Sequence, residues 1–195
     1  TYPDINGSIG VLFEQASSRG LLQNTVNGVL TFQYGVQNHV LTSLSTVEGA
    51  WKNQAKFKDY RQRFYQQAKQ DAEDENFSGF IFTETKDQYR LNAFLSQLQQ
   101  HQIKVYPLTK NYKNNDKTYL AAQSYYIPLL QPQYRMIKAL FNQQKNFQDN
   151  TFYDVSGWTL PLAMNIEFAQ VGGTRGLKIQ KSPWQPQSTI AQKTH

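Results

Sequence analysis

Three features of the residue pattern predict an α/β fold. Gly79-Phe80-Ile81-Phe82-Thr83 is a short apolar run of strand-forming residues. Leu91, Phe94, Leu95 and Leu98 follow at helical spacing, and Ile103-Lys104-Val105-Tyr106-Pro107-Leu108 reads as a second strand. Strand, helix and strand within about thirty residues make a βαβ unit, whose default is a right-handed crossover between parallel strands. The expected architecture of this part is a small, open, mainly parallel βα sheet layer.

The rest of the chain can be read in order. Ile9, Val11 and Phe13 alternate with Gly10, Leu12 and Glu14, and Gly7 and Gly20 bracket the run, which predicts a buried strand and then a turn. Asn27-Gly28, between Val26 and Val29-Leu30, is a hairpin signal. Val36, Val40, Leu44, Val47 and Trp51 recur at helical spacing, and Ala55, Phe57, Tyr60, Phe64 and Ala68 extend the stripe. Gly49 is the expected break between two helices, and the stripe is expected to pack as core. The acidic run at 71–75 reads as a linker or surface turn.

After the βαβ unit, Tyr119-Leu120-Ala121-Ala122 and Ser124-Tyr125-Tyr126-Ile127-Pro128 suit short strands. A helix is expected over Gln133–Phe141 with Pro132 near its start, and a loop over Asp154–Thr159. The apolar stretch from Leu160 to Val171 suits a helix beginning near Pro161. Three regions result: 1–75, a strand with long helices; 76–171, the α/β layer; and 172–195, a tail that follows Gly172-Gly173.

Composition narrows the chemistry. The 195 residues include no cysteine, which excludes disulfides, thiolate metal sites and a cysteine nucleophile. Mean hydropathy is -0.65, and no stretch approaches the ~18 apolar residues of a spanning helix, so no membrane span is expected. Thr1-Tyr2-Pro3-Asp4 lacks a starting Met and the basic start of a signal peptide, as expected of a processed or excised segment. The net charge is +6 and the pI about 9.4. Lys52, Lys56, Lys58, Arg61 and Arg63 are interleaved with Gln, Asp59 and aromatics, and acids follow at once. That is a solvated helix face rather than a nucleic-acid footprint.

Few residues have the spacing of a reaction centre. His39, His101 and His195 have no metal-ligand neighbours, and a catalytic zinc needs about three converging protein ligands. No phosphate loop or dinucleotide fingerprint occurs, Gly172-Gly173-Thr174-Arg175-Gly176 lacks a flanking strand and helix, and Ser156 is outside a GxSxG elbow. Glu14 stands out because it closes an apolar run beside the small-residue turn Gln15-Ala16-Ser17-Ser18-Arg19-Gly20. Two roles fit that position: a structural partner of Arg19, or a catalytic carboxylate at a strand end.

The string from Gly7 to Gly20, with Phe13-Glu14-Gln15 and the Arg19-Gly20 turn, resembles the end of the catalytic domain in large bacterial zinc carboxypeptidases related to carboxypeptidase A. Further similarity lies in Thr42-Ser43-Leu44-Ser45-Thr46, Tyr126-Ile127-Pro128-Leu129, Gln131-Pro132-Gln133-Tyr134-Arg135 and Tyr153-Asp154-Val155-Ser156-Gly157-Trp158-Thr159-Leu160-Pro161. The resemblance implies that residues 1–75 end a peptidase-type α/β domain. It implies Glu14 as general base and acid, Arg19 as a candidate contact for a substrate carboxylate, and a periplasmic or secreted setting. It also implies zinc in the full-length enzyme, held by an HxxE pair and a later His upstream, with none bound by this chain. The partners implied are a peptide substrate and the upstream peptidase domain. Residues from about Phe77 are similar to the accessory layer of such proteins, which resembles class I glutamine amidotransferases. The thiol nucleophile of those enzymes is missing here. A contrasting expectation is a non-catalytic module that holds a peptide or glycan on Tyr125, Tyr126, Trp158 and Trp184.

Overall fold

A computed structural model describes residues 2–121, 123–143 and 159–186. The loop expected over 154–158, with Ser156 and Trp158, lies outside the described residues, as does His195. The fold is mixed α/β with antiparallel sheets. The chain divides into two units, Thr1–Tyr65 and Gln66–His195.

The first unit opens with a short helix, α1 (Tyr2–Ile5). Gly7 follows at φ +72°, and a Cβ there would fall 2.9 Å from Cδ1 of the Phe64 ring. The Tyr65 hydroxyl donates to the Asn6 carbonyl at 3.1 Å, which ties this turn down. The strand expected over Ile9–Phe13 does not form. Residues 9–18 carry no regular structure, because no strand among the described residues pairs with them.

The hairpin is present: β1 (Leu22–Thr25) pairs antiparallel with β2 (Gly28–Thr31). Its turn residues are Val26-Asn27, and the Asn27 amide donates to Oγ1 of Thr25 at 3.2 Å. Thr31 caps α2 (Phe32–Lys52) by accepting from the Tyr34 amide. The helix ends at Asn53, whose backbone N–H bonds to the Gly49 carbonyl, and α3 (Gln54–Glu73) begins one residue later. Two helices were expected; the break falls four residues beyond Gly49.

The stripe expected to be core is solvent-facing along α2. Val36, Val40, Leu44 and Val47 are exposed, Trp51 is 74% exposed, and none of the 21 helix residues is buried. In α3 the stripe goes inward only from Phe64, with Ala68 and Ala72 following at four-residue steps. All but four of the large apolar side chains exposed among the described residues lie between Tyr2 and Tyr60.

The second unit is built on β3 (Gly79–Thr83), all five residues of which are buried. Asp87 caps α4 (Gln88–Gln100) by accepting from the Arg90 amide at 2.9 Å. His101 closes that helix. The chain then forms β4 (Tyr106–Pro107), a small hairpin of β5 (Tyr112–Asn114) and β6 (Lys117–Tyr119), and β7 (Ser124–Pro128). After α5 (Tyr134–Phe141) come the single turn α6 (Leu160–Ala163) and β8 (Glu167–Val171). The helix expected over Leu160–Val171 is thus confined to its first turn. Asn165 takes a positive φ of 50°, and residues 167–171 pair with β3 instead.

Sheet order is β4-β7-β3-β8, and every pair is antiparallel. The mainly parallel sheet expected from the βαβ pattern is therefore corrected. Strands β3 and β4 do run the same way, since each is antiparallel to β7, but β7 is inserted between them. A strand–helix–strand pattern fixes two directions and leaves open what lies between.

Both faces of β3 are covered. Phe80 stacks on Phe141 at 4.7 Å, and Phe82 packs edge-on against Phe94 at 5.1 Å, which joins α4 and α5 to one face. On the other, Ile81, Tyr126 and Val171 cluster with Leu108 and Tyr119. Residues 177–184 run along the edge of β4, where the Gln180 and Trp184 amides donate to the Pro107 and Val105 carbonyls. The acidic run expected as a linker is partly structural. Glu75 accepts from the Tyr134 hydroxyl at 2.7 Å and the Lys138 ammonium at 2.5 Å, and Arg135 meets Asp71 at 3.2 Å.

A Cβ on Gly79 would lie 2.2 Å from the Ile127 carbonyl oxygen and 2.6 Å from the Tyr126 ring. Gly79→Ala should cost at least ~1–3 kcal/mol in urea unfolding, whereas Gly172→Ala, with open space around it, should stay within ~0.5 kcal/mol. Burial works against the charge on Glu75, but the hydrogen bonds from Lys138 and Tyr134 outweigh it and hold its pKa below the ordinary 4.5. A depressed carboxylate contributes stability above its unfolded value and loses it as pH falls through the folded value. Glu75→Gln should therefore cost ~1–3 kcal/mol at neutral pH. The gap from wild type should close as denaturation is repeated below pH 4.5.

Candidate functional site

Glu14 lies in the irregular stretch 9–18 of the first unit and is exposed. Together with Phe13 and Gln15 it lines a recess of about 220 Å³ whose other wall is α2, through Asn38, His39 and Thr42. The amide of Asn38 donates to Oε1 of Gln15, which ties the stretch to the helix across 23 positions of sequence. The Thr42 hydroxyl donates back to the Asn38 carbonyl at 2.7 Å, and Ser43 does the same to His39 at 2.8 Å. These hydroxyls satisfy themselves within the helix, so α2 carries them without a tertiary partner.

Arg19 begins a short 3-10 turn, Arg19–Leu21, and is exposed. No ion pair joins it to Glu14 among the described residues, so the structural pairing open at the sequence level is not formed here. Glu14 itself has no hydrogen-bond or ion-pair partner among them. The sequence pattern singled out Glu14 and Arg19 but not Asn38. A lone Asn on a helix face carries no local signal of a contact 23 residues away.

The second unit holds a more buried carboxylate, which is of a different kind. Glu84 accepts from the amides of Lys86 at 2.7 Å and Asp87 at 3.0 Å, and Arg90 lies 3.3 Å away. The Lys86 amide, with smaller help from Asp87 and Arg90, keeps its pKa below the ordinary carboxylate value despite burial. Fully engaged by donors and held ionised, it fixes the turn between β3 and α4. It has no proton to give at neutral pH.

Three of the four aromatics of the alternative ligand-holding edge lie among the described residues. Tyr126 is buried with its hydroxyl donating to the Ser78 carbonyl at 2.8 Å, and Tyr125 stacks on Phe82 at 5.4 Å. Trp184 is half-buried in the segment along β4.

Among the described residues no group of three or more His, Cys, Asp or Glu side chains is placed to hold a metal ion. No helix there is long and apolar enough to cross a membrane. No protein-family model, curated protein or solved structure matches this chain.

Because the ligand types are scattered, the chain after dialysis should retain far less than one zinc per molecule by elemental analysis. A single tightly held zinc would contradict this reading of the side chains.

Proposed function

We propose that this chain is the C-terminal segment of a zinc metallocarboxypeptidase-like protein that hydrolyses C-terminal residues of peptides, with Glu14 as its general base and acid. The observation that carries the reading is the state of the Glu14 stretch. Residues 9–13 have a strand's alternation but no strand beside them, and Leu12 is 76% exposed. A segment with a strand's pattern and no sheet to join suits the last piece of a larger α/β domain. The resemblance of Gly7–Gly20 to the end of a carboxypeptidase-type domain supports reading that domain as a peptidase.

Support also comes from the surface of the first unit. An open hollow of about 710 Å³ is lined by Ile9, Val11, Ala50, Phe57 and Tyr60. Together with the bare stripe of α2 it offers the apolar contact area that an upstream peptidase domain would cover. Glu14, by contrast, is exposed and uncommitted, as a carboxylate must be if it is to meet a substrate.

In this reading the Glu14 carboxylate takes a proton from the attacking water. It passes that proton to the amine nitrogen as the peptide C–N bond breaks. Arg19 meets the substrate's terminal carboxylate. The zinc implied by the resemblance has no ligand set among the described residues. Its ligands belong upstream, and no step given to this chain runs through it. The second unit is a companion layer to the peptidase domain, and without a cysteine it lacks the thiol that amide transfer by a glutamine amidotransferase would need.

The test is Glu14→Gln in the full-length protein, with release of a C-terminal residue as the assay. Loss of general acid–base catalysis is worth about 10²–10⁴-fold, so kcat should fall by at least that much. Zinc content and melting temperature should not change. A folded, zinc-loaded variant with near-normal kcat would remove Glu14 from the mechanism.

A further inference from the structure

We infer that Gln15 and Asn38 form a clasp that sets the direction of the neighbouring Glu14 carboxylate, and that both are positioning residues. The inference rests on the proposed role of Glu14. Residues 9–18 have no ladder to stiffen them, so their backbone is fixed only where side chains fasten it. Among the described residues, the Gly10 amide donates to the Asp4 carboxylate at 2.7 Å near the start of this stretch, and the bond from the Asn38 amide to Oε1 of Gln15 fastens it to α2.

The path of Gln15 over the helix supports the clasp. A Cβ on Gly35 would sit 3.7 Å from Cγ of Gln15, in ordinary van der Waals contact. The Gln15 stem therefore lies over Gly35, and its amide oxygen reaches Asn38 three residues on, the next position on the same helix face. Glu14 and Asn38 line the same recess, so the carboxylate is one residue from the fastened side chain. Asn38 is in turn held in a helix whose cap and hydroxyl back-bonds are satisfied. The rigidity of α2 is thus passed to a stretch that has none of its own. Catalysis needs such rigidity, because a misplacement of about 1 Å can cost about 100-fold in rate.

The test has two arms. In the 195-residue chain, NMR backbone order parameters over residues 13–16 are compared between wild type, Asn38→Leu and the swapped pair Gln15→Asn with Asn38→Gln. The clasp predicts order parameters that fall from about 0.85 toward about 0.6 in Asn38→Leu and recover in the swapped pair. In the full-length protein, Asn38→Leu should lower kcat by about 10–100-fold, with KM within about threefold and an unchanged melting temperature. The swapped pair should recover most of that loss. Unchanged order parameters in Asn38→Leu overturn the clasp. A mobile stretch with normal kcat overturns the positioning role while the clasp stands. A zinc-loaded wild type without peptidase activity overturns the parent reading, and the catalytic role of the clasp with it; the order parameters then judge the contact alone.

Discussion

Apolar surface leaves water only when something covers it, and the two units of this chain meet that requirement differently. In the second unit the buried strand β3 has a strand on each edge and a cover on each face. Phe80 and Phe82 reach α4 and α5, while Ile81 meets Tyr126, Val171 and the small β5–β6 hairpin side. Nearly every other feature of that unit serves this arrangement. Gly79 makes room for the Tyr126 ring, and residues 177–184 close the β4 edge that would otherwise present bare backbone. The first unit has the composition of a packed domain without the packing. Its longest helix, α2, has no buried residue.

The same contrast runs through the carboxylates. Glu75 and Glu84 are drawn into the fold and saturated with donors from Tyr134, Lys138, two backbone amides and Arg90. Such groups stabilise an arrangement and are unfit for proton exchange, because releasing their donors would cost more than the step gains. Glu14 is bound to nothing among the described residues, yet its neighbour Gln15 is fastened to α2. A free carboxylate on a fastened backbone is a suitable setting for proton transfer.

The sequence was most legible where local pattern and tertiary demand agree. Strand β3, helix α4 and helix α5 stand close to where periodicity put them, because their apolar faces meet covers within the same unit. Direction and neighbourhood were less legible. The βαβ pattern implied adjacent parallel strands, and β7, some twenty residues downstream of β4, entered between them. The apolar run Leu160–Val171 was read as a helix, and pairing with β3 made a strand of residues 167–171 instead. The α2 stripe was read as core since helical spacing of apolar residues usually marks burial. Periodicity identifies a face that needs cover but not whether the cover is in the same segment. Glu14 was legible as a residue type at a strand-like end, whereas its fastening through Asn38 depends on a contact with no local signature.

We propose that the bare apolar face of the first unit is covered by an upstream domain of the peptidase type. Side-chain footprinting with hydroxyl radicals tests it directly, read at Val40, Leu44 and Trp51 in this chain alone and in the full-length protein. The account predicts strong labelling of all three in the isolated chain and protection of about tenfold or more in the longer protein, as for buried side chains. Equal labelling in both would show that nothing upstream covers the face, and would contradict the reading of this chain as the end of a larger catalytic domain.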